Sequence, residues 1–326
     1  MNINEIANLA GVSRATVSRY LNEGYVSQEK REKIQKVIEQ TGYRPLAQAQ
    51  TMRTRKTHLV GVIIPKINSD SISLIVKGIT KVLSEEGYQM LLANTDNNEK
   101  EELRYLNIFQ RHQVDGILLL GTILTREHQA ELKKLKVPLV LLGQEVKQNS
   151  CVYHDDYNAM KDLTEQVIKK GTRIGYIGVT KQDAAVGRQR YLGFLNAMGE
   201  QKKEFDESWY GEALFDAESG YERTGELLEQ HPDLDTLICA TDTIAIGAMR
   251  CLKERGRHIP KEVQLAGMGA SRMSEICEPH LTTVQYYYEE CGEEGARILL
   301  SQLQDGQELR RQMKLSYDVL IRESVR

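Results

Sequence analysis

A chain of 326 residues, of which 40% are hydrophobic and 27% charged, is expected to fold into a globular protein of two or more domains. The sequence argues against a membrane-spanning or secreted protein, because no apolar run is long enough to span a bilayer and the amino terminus lacks the order of a signal peptide. The five cysteines are scattered and form no CxxC pair, so we expect a cytoplasmic protein with reduced thiols and no zinc site.

The net charge of −3 is unevenly distributed along the chain. Residues 1–56 hold ten Lys and Arg against five Asp and Glu, a net charge of +5, which leaves −8 for the remainder. A polyanion attracts the basic segment and repels the acidic one. The charge pattern therefore predicts that only the amino-terminal head meets a nucleic acid.

The first 22 residues have the spacing of a helix-turn-helix. Ala7 is small enough to lie under the second helix, Gly11 allows the positive φ of a tight turn, and Val17 fills the contact between the helices. Apolar residues recur at helical spacing on both helices. They are Ile3, Ile6, Leu9, Val12, Val17 and Leu21.

Short or guanidinium side chains occupy the outward positions of the second helix, where they suit base edges and phosphates. They are Ser13, Arg14, Ala15, Ser18 and Arg19. The pattern favours DNA binding, although an ordinary pair of small helices with a solvated basic face has the same spacing.

A third helix and a linker follow. Ser27 is a good N-cap for this helix, Ile34 lies on its buried stripe, and Gly42 ends it. Residues 45–57 are compatible with a helix but have almost no apolar face, so we predict a hinge helix that folds only against a partner. The predicted domains are a helix-turn-helix DNA-binding domain at 1–44, the hinge at 45–57, and a two-lobed effector-binding and dimerisation domain at 58–326.

From Leu59 onward, short apolar runs alternate with amphipathic helical stretches, which predicts a doubly wound α/β architecture. The runs are nearly continuous in Val, Ile and Leu, as in parallel strands buried on both faces. The length of this region predicts two lobes with a cleft between them, and chain crossings near 155–158, 286–288 and 316. The predicted strands are residues 59–65, 88–94, 115–121, 138–143, 173–179, 236–242 and 263–269.

No catalytic constellation stands out. The sequence has no GKS or GKT phosphate loop and no GxSxG nucleophile elbow, and GMGASR at 267–272 lacks the third glycine of a dinucleotide fingerprint. The sequence YHDD at 153–156 is compatible with a metal or acid–base cluster, and at least as well with a strand end followed by the N-caps of a helix. We expect no enzyme activity, no catalytic residue, no metal and no cofactor.

Polar loops follow several of the predicted strands. Ligands of two-lobed α/β proteins bind where loops leave the carboxyl ends of strands, and hydrogen-bonding loops with an arginine and an aromatic residue nearby suit a sugar. Arg188 lies between apolar residues, so we expect it to be buried and to need a partner. The tyrosines at 286–288 are expected to divide between the core and the cleft.

The sequence resembles the lactose-repressor (LacI/GalR) family of bacterial transcription regulators over essentially its whole length. INEIANLAGVSRATVSRYLN is similar to the family's amino-terminal reader, GYRPLAQAQTMR to its third-helix end and hinge helix, and IPKEVQLAGMG and PHLTTV to strand-entry motifs late in its effector domain. The resemblance implies a periplasmic-binding-protein-like core and a homodimer on double-stranded operator DNA. A leucine-heptad tail for further pairing is not evident, so we expect dimers.

The resemblance also implies roles for residues of the head and hinge. Arg14 and Ala15 set sequence preference, and Arg19 contacts a base. In the hinge, Ala49 and Met52 fall where paired helices enter the minor groove, with Met52 in place of the usual leucine wedge. The phosphate-facing or base-edge positions are Ser13, Thr16 and Ser18.

For the effector pocket, the resemblance places Arg188 where an arginine grips sugar hydroxyls and Phe215 where an aromatic ring stacks on the sugar. Thr241 precedes Asp242 where asparagine is usual, and Gly269 stands where many members have a sugar-binding aspartate. Lys66 lies where a cation could meet a phosphorylated sugar. The remaining effector candidates are Ser69, Ser71 and Tyr286.

Two functions follow from these residues. Similarity to trehalose-type repressors implies a sugar-operon repressor whose inducer is a disaccharide or disaccharide phosphate, trehalose before sucrose. The alternative is a global regulator of the same family that responds mainly to a phosphoprotein partner. An inducer that prefers one arrangement of the lobes would weaken operator binding.

Overall fold

The computed structural model describes residues 1–22, 24–43, 56–305 and 309–326. The chain divides into two compact units, Met1–Thr57 and His58–Arg326. Most of the predicted hinge, including Ala49 and Met52, lies outside the described residues. No helix in the described part of the chain is long and apolar enough to cross a membrane.

The first unit contains three helices: α1 (Ile3–Leu9), α2 (Arg14–Leu21) and α3 (Gln28–Thr41). The Asn2 side chain caps α1 and accepts a hydrogen bond from the backbone N–H of Glu5, whose carboxylate accepts one from the Asn2 N–H in return. Gly11 has a φ of 62°, as the predicted tight turn requires. Ser13 Oγ then accepts a hydrogen bond from the Thr16 N–H and caps α2.

The core of the first unit lies where the three helices meet. The prediction that Leu9 belongs to it was wrong, because Leu9 is 62% exposed. Helix α1 ends at Leu9, and Ala10, four residues after Ile6, takes the inward position instead. Ser27 precedes α3 without a side-chain capping bond, and Gly42 ends that helix. The buried core residues are Ile6, Ala7, Ala10, Val17 and Ile34.

The first half of the second unit alternates strands and helices, as predicted. Its elements are β1 (Leu59–Ile64), α4 (Asp70–Glu85), β2 (Gln89–Asn94), α5 (Glu99–Arg111), β3 (Gly116–Leu119), α6 (Arg126–Leu132), β4 (Leu139–Leu142) and β5 (Ser150–His154). The strands are nearly continuous in apolar residues, and all four residues of β3 and of β4 are buried.

The second half continues the alternation. Its elements are α7 (Asp156–Val167), β6 (Ile174–Gly178), a π-helical turn (Ala184–Gln189), α8 (Arg190–Glu200), β7 (Tyr210–Glu212), α9 (Ala217–Gln230), β8 (Thr236–Cys239), α10 (Asp242–Glu254), β9 (Gln264–Ala266), α11 (Arg272–Ile276), β10 (Thr283–Tyr286), α12 (Tyr288–Asp305), β11 (Gln312–Leu315) and β12 (Tyr317–Leu320). Each of the seven predicted runs contains a strand. The strands outside these runs lack a continuous apolar sequence: β5 reads SCVYH, β7 has three residues, and β11 alternates exposed and half-buried residues.

Within the described residues, the strands form two parallel sheets and one antiparallel pair. The first sheet has the order β11-β5-β4-β3-β1-β2, and the second β7-β6-β8-β9. Strands β10 and β12 pair antiparallel. Each sheet has an apolar cluster on both faces, which is the arrangement expected of a doubly wound fold.

The chain crosses between the two lobes at the three predicted places. It leaves the first lobe after β5, where Asp155 caps α7, and so the N-cap interpretation of this acidic pair is confirmed for Asp155. It returns after β10 through α12, which packs on α4 through ion pairs such as Lys77–Glu289, with Nζ 2.7 Å from Oε2. It crosses again between β11 and β12, since β11 pairs with β5 and β12 with β10.

Candidate functional site

Helix α2 presents the predicted DNA-reading residues on one side of the first unit. Arg14, Ala15 and Arg19 are exposed, while Val17 on the opposite side is fully buried. Ser13 is exposed at the start of the helix, and its hydroxyl lies 2.9 Å from that of Thr16. The remaining candidates, Thr16 and Ser18, are half-buried.

Tyr25 is a candidate that the sequence analysis missed. It follows α2 in the loop before α3, and its side chain is 90% exposed. An aromatic residue with so little contact in its own unit is available to a partner. The signal in the sequence was a single aromatic residue among polar turn residues, which is weak.

A cavity of about 490 Å³ lies between the two lobes of the second unit, among the loops that leave the carboxyl ends of the strands. We call it the effector cavity. Residues from both lobes line it, including seven of the predicted effector residues. These seven are Lys66, Ser69, Ser71, Phe215, Thr241, Asp242 and Gly269.

A larger groove of about 910 Å³ lies at the opposite edge of the first sheet, beside the segments that precede β4 and β5. None of the predicted effector residues lines it. Four exposed cationic side chains are among the residues that line it: Lys133, Lys136, Lys147 and Arg310.

Arg190 lies on the floor of the effector cavity and is 5% exposed. Its Nε donates to Asp156 Oδ1 at 2.7 Å, and its Nη1 donates to the Ala240 carbonyl at 2.6 Å. The Tyr286 hydroxyl donates to the same Asp156 oxygen at 3.1 Å. These bonds hold the guanidinium in one orientation.

The structure differs from the sequence analysis at Arg188, which is exposed and does not line the cavity. Arg188 lies in the π-helical turn, where its N–H donates to the Asp183 carbonyl five residues earlier, and the buried arginine is Arg190, the first residue of α8. The sequence holds two arginines two positions apart, and its local pattern did not separate the buried one from the exposed one.

Tyr286 likewise does not line the cavity, and Tyr288 does. Tyr286 is 1% exposed, and its hydroxyl is bonded to Asp156 beneath the floor. The expected division of this tyrosine run between core and cleft therefore holds, with Tyr288 on the cleft side.

The carboxylate of Asp242 is fixed by two neighbouring residues at the far wall of the cavity. Its Oδ1 accepts a hydrogen bond from Thr283 Oγ1 at 2.6 Å, and its Oδ2 accepts one from the Ser271 N–H at 2.7 Å. Burial raises the pKa of this carboxyl, although these hydrogen bonds oppose the shift. The preceding Thr241 caps α10, where its hydroxyl accepts a hydrogen bond from the Ile244 N–H.

Gly269 leaves open space beside Asp242. Its φ is +130°, which favours glycine, and a Cβ at this position would lie 3.5 Å from Tyr288 Oη and 3.9 Å from Asp242 Oδ2. A side chain at this position would therefore reduce access to both groups. The absence of a side chain at Gly269 leaves room for a larger ligand.

Two hydrogen bonds join the lobes at the mouth of the cavity. Lys66 Nζ donates to the Phe215 carbonyl at 2.7 Å and lies 5.6 Å from the centre of the Phe215 ring. Burial lowers the pKa of this lysine, and Asp216 partly opposes the shift. The Arg272 N–H donates to Asp70 Oδ2 at 3.3 Å. Both bonds would break if the lobes opened.

Asp183 is a further lining residue that the sequence analysis did not single out. It is 3% exposed and caps the π-helical turn, where Oδ1 accepts hydrogen bonds from the Val186 N–H at 2.8 Å and the Gly187 N–H at 3.4 Å. Burial raises the pKa of its carboxyl to about 6 despite these bonds. Its position in a polar loop gave no sign of burial.

Residues 2–45 match the model of the family described as bacterial regulatory proteins, lacI family, and residues 164–325 match the model of periplasmic binding protein-like domains. The sucrose operon repressor of Staphylococcus xylosus is 33% identical and covers 89% of this chain and 90% of its own length. The regulator TreR of Escherichia coli K12 is 31% identical, with coverages of 93% and 94%. Catabolite control protein A of Priestia megaterium is 32% identical over 91% of each chain.

Solved structures agree with these matches. The transcriptional regulator CelR in complex with cellobiose is 30% identical, with a TM-score of 0.77 over 99% of both chains. The lac repressor dimer bound to operator and the anti-inducer ONPF has a TM-score of 0.88 over 99% of this chain and 98% of that one, at 21% identity, and so supports the fold.

The matched relatives are transcription regulators, and each of the two units of this chain contains the match to one family model. The protein is therefore a transcription regulator and not an enzyme. This chain belongs to the LacI family of bacterial regulatory proteins and is a DNA-binding transcriptional repressor.

Proposed function

We propose that this repressor acts in the cytoplasm on a sugar-utilisation operon and leaves its operator when a disaccharide of the sucrose or trehalose type, free or phosphorylated, fills the effector cavity. The observation that carries the proposal is the cavity itself. Its volume of about 490 Å³ suits a small ligand, and polar groups from both lobes line it together with the rings of Phe215 and Tyr288.

In this proposal, Arg190 takes the sugar-gripping role that the sequence pattern gave to Arg188. Asp242 accepts hydrogen bonds from sugar hydroxyls, and Phe215 packs against the apolar face of a ring. The sucrose operon repressor among the relatives and the cellobiose-bound structure support a disaccharide. The open space beside Gly269 favours a ligand larger than a monosaccharide.

We also propose how the chain is divided. Residues 1–44 read the operator, residues 45–57 form the hinge, and residues 58–326 bind the effector and dimerise. In the head, Arg14, Ala15 and Arg19 contact base edges. The hinge residues Ala49 and Met52 enter the minor groove.

A melting experiment with the full-length dimer tests the effector. The panel is sucrose, trehalose, cellobiose, trehalose 6-phosphate and glucose. A ligand at one hundred times its Kd stabilises the protein by about 2.7 kcal/mol, so the correct disaccharide will raise Tm by a few degrees. Phe215→Leu should reduce this shift, and Arg188→Ala, outside the cavity, should leave it unchanged.

A second candidate function is supported by the similarity to catabolite control protein A. In this alternative, a phosphoprotein partner controls the repressor and sugar is secondary. A flat Tm response to every sugar in the panel would exclude the disaccharide proposal and favour this one.

A further inference from the structure

The floor of the effector cavity contains a histidine with an unused hydrogen-bonding atom. His154 ends β5 and is 6% exposed. Its ring centre lies 4.9 Å from that of Tyr286 and 5.2 Å from that of Tyr288. Its Nε2 is buried and has no hydrogen-bond partner in the described part of the chain. Burying such an atom lowers the stability of the fold unless a ligand or a water molecule forms a hydrogen bond with it.

The protonation of His154 follows from its surroundings. Burial lowers the pKa of the imidazole, while Asp156 and a hydrogen bond with the Tyr287 backbone oppose the shift. A backbone bond that raises an imidazole pKa is one in which a ring N–H donates to a carbonyl. Since Nε2 is unpartnered, we assign the proton to Nδ1. The neutral ring therefore offers the Nε2 lone pair as an acceptor.

The charges around the cavity are mostly negative. Two cations line it, Lys66 and Arg190, and Arg190 is already paired with Asp156. Lys66 donates to a carbonyl at the mouth. A phosphate dianion would meet more carboxylates than cations, whereas sugar hydroxyls would meet acceptors that need donors. The carboxylates that line the cavity are Asp70, Asp156, Asp183, Asp216 and Asp242.

We propose that the effector is an uncharged sugar, that His154 Nε2 accepts a hydrogen bond from one of its hydroxyls, and that the cavity discriminates against phosphorylated sugars. The inference rests on the proposed function and narrows its ligand class. His154 is then a specificity-determining residue, because a ligand without a donor at this point leaves Nε2 unsatisfied.

Two substitutions separate the roles of the two ring nitrogens. In His154→Asn, the amide reaches the position of Nδ1 and keeps the bond to the Tyr287 backbone, but nothing replaces Nε2. In His154→Gln, the longer amide brings an acceptor to the position of Nε2. Titration calorimetry with sucrose, trehalose and trehalose 6-phosphate on the full-length dimer gives the affinities.

The unmodified protein should bind one uncharged disaccharide at least tenfold more tightly than trehalose 6-phosphate. His154→Asn should weaken binding of that disaccharide about tenfold or more, and His154→Gln should stay within about threefold of the unmodified protein. The comparison of the two free disaccharides with trehalose 6-phosphate needs no variant, so it tests the ligand class even if His154→Asn fails to fold.

Preference for trehalose 6-phosphate, or unchanged affinity in a folded His154→Asn protein, would overturn this inference and leave the proposed function standing. If neither the free disaccharides nor the phosphate bind, the proposed function fails and the inference fails with it. Binding that is lost in His154→Asn and retained in His154→Gln supports both.

Discussion

Arg190 and Asp156 form a buried ion pair in which each side chain is 6% exposed. Asp156 also accepts from Tyr286, so the pair holds α7, α8 and β10 together at the cavity floor. Removal of the guanidinium would leave a buried carboxylate with one neutral donor. Arg190→Ala should therefore destabilise the second unit by about 3–5 kcal/mol, measured by thermal or urea unfolding without ligand.

Arg188 provides the matched control, since it carries the same side chain two residues earlier but is exposed. Arg188→Ala should change stability by no more than about 0.5 kcal/mol. Equal losses for the two substitutions would contradict the assignment of the buried position to Arg190.

Asp183 predicts a pH dependence of stability. Its pKa is about 6 in the folded protein and 3.8 in a solvated chain, so the folded state binds this proton more tightly. The contribution of Asp183 to stability is therefore greatest below about pH 3.8 and falls as the pH rises to about 6. Asp183→Asn removes the ionisation. Relative to the unmodified protein, the free energy of unfolding of the variant should rise by up to about 3 kcal/mol as the pH goes from about 4 to 7.

Urea unfolding of both proteins across this pH range measures the effect. The difference between the variant and the unmodified protein should be constant above about pH 7, where Asp183 is fully ionised. A difference that does not change with pH would show that the carboxyl ionises as it does in water.

At the scale of single elements, we propose that α2 determines which DNA is read. Arg19 is exposed on the same side as Arg14 and Ala15, where a guanidinium can reach a base edge. Arg19→Ala should reduce the free energy of binding by about 1–3 kcal/mol for an operator that the unmodified protein selects from random DNA. The loss on unselected DNA should be much smaller. Fluorescence anisotropy at several salt concentrations measures both affinities.

We expect Lys56, at the end of the predicted hinge, to contact a DNA phosphate, and since a phosphate contact carries no sequence information, Lys56→Ala is the comparison for this prediction. The substitution should weaken binding to selected and unselected DNA alike. It should also reduce the slope of log affinity against log salt concentration by about one. Equal losses on the two DNAs for Arg19→Ala would exclude a base contact.

At the scale of the whole molecule, three chain crossings and two hydrogen bonds at the cavity mouth link the lobes. The bonds run from Lys66 to the Phe215 carbonyl and from the Arg272 N–H to Asp70. A ligand that contacts both lobes therefore changes the free energy difference between open and closed arrangements.

We expect an inducer. The disaccharide that raises Tm should lower operator affinity, and a preference of about 3 kcal/mol for one lobe arrangement would give a change of roughly 150-fold. Operator binding with and without saturating sugar measures this effect, with a sugar that leaves Tm unchanged as the control. A rise in operator affinity would identify the sugar as a co-repressor and contradict this prediction.

The sequence by itself determined seven of the twelve strands in the described residues, the positions of the lobe crossings and the outward residues of α2. These follow from local signals, since continuous apolar runs, helical spacing and turn residues act over a few positions. Only the tertiary structure decided which side chains meet in the cavity. Arg190, and not Arg188, is buried at the cavity floor, and the local pattern of this segment did not separate the two arginines. His154 faces the cavity between tyrosines more than 130 residues away, and no local pattern specifies such a contact.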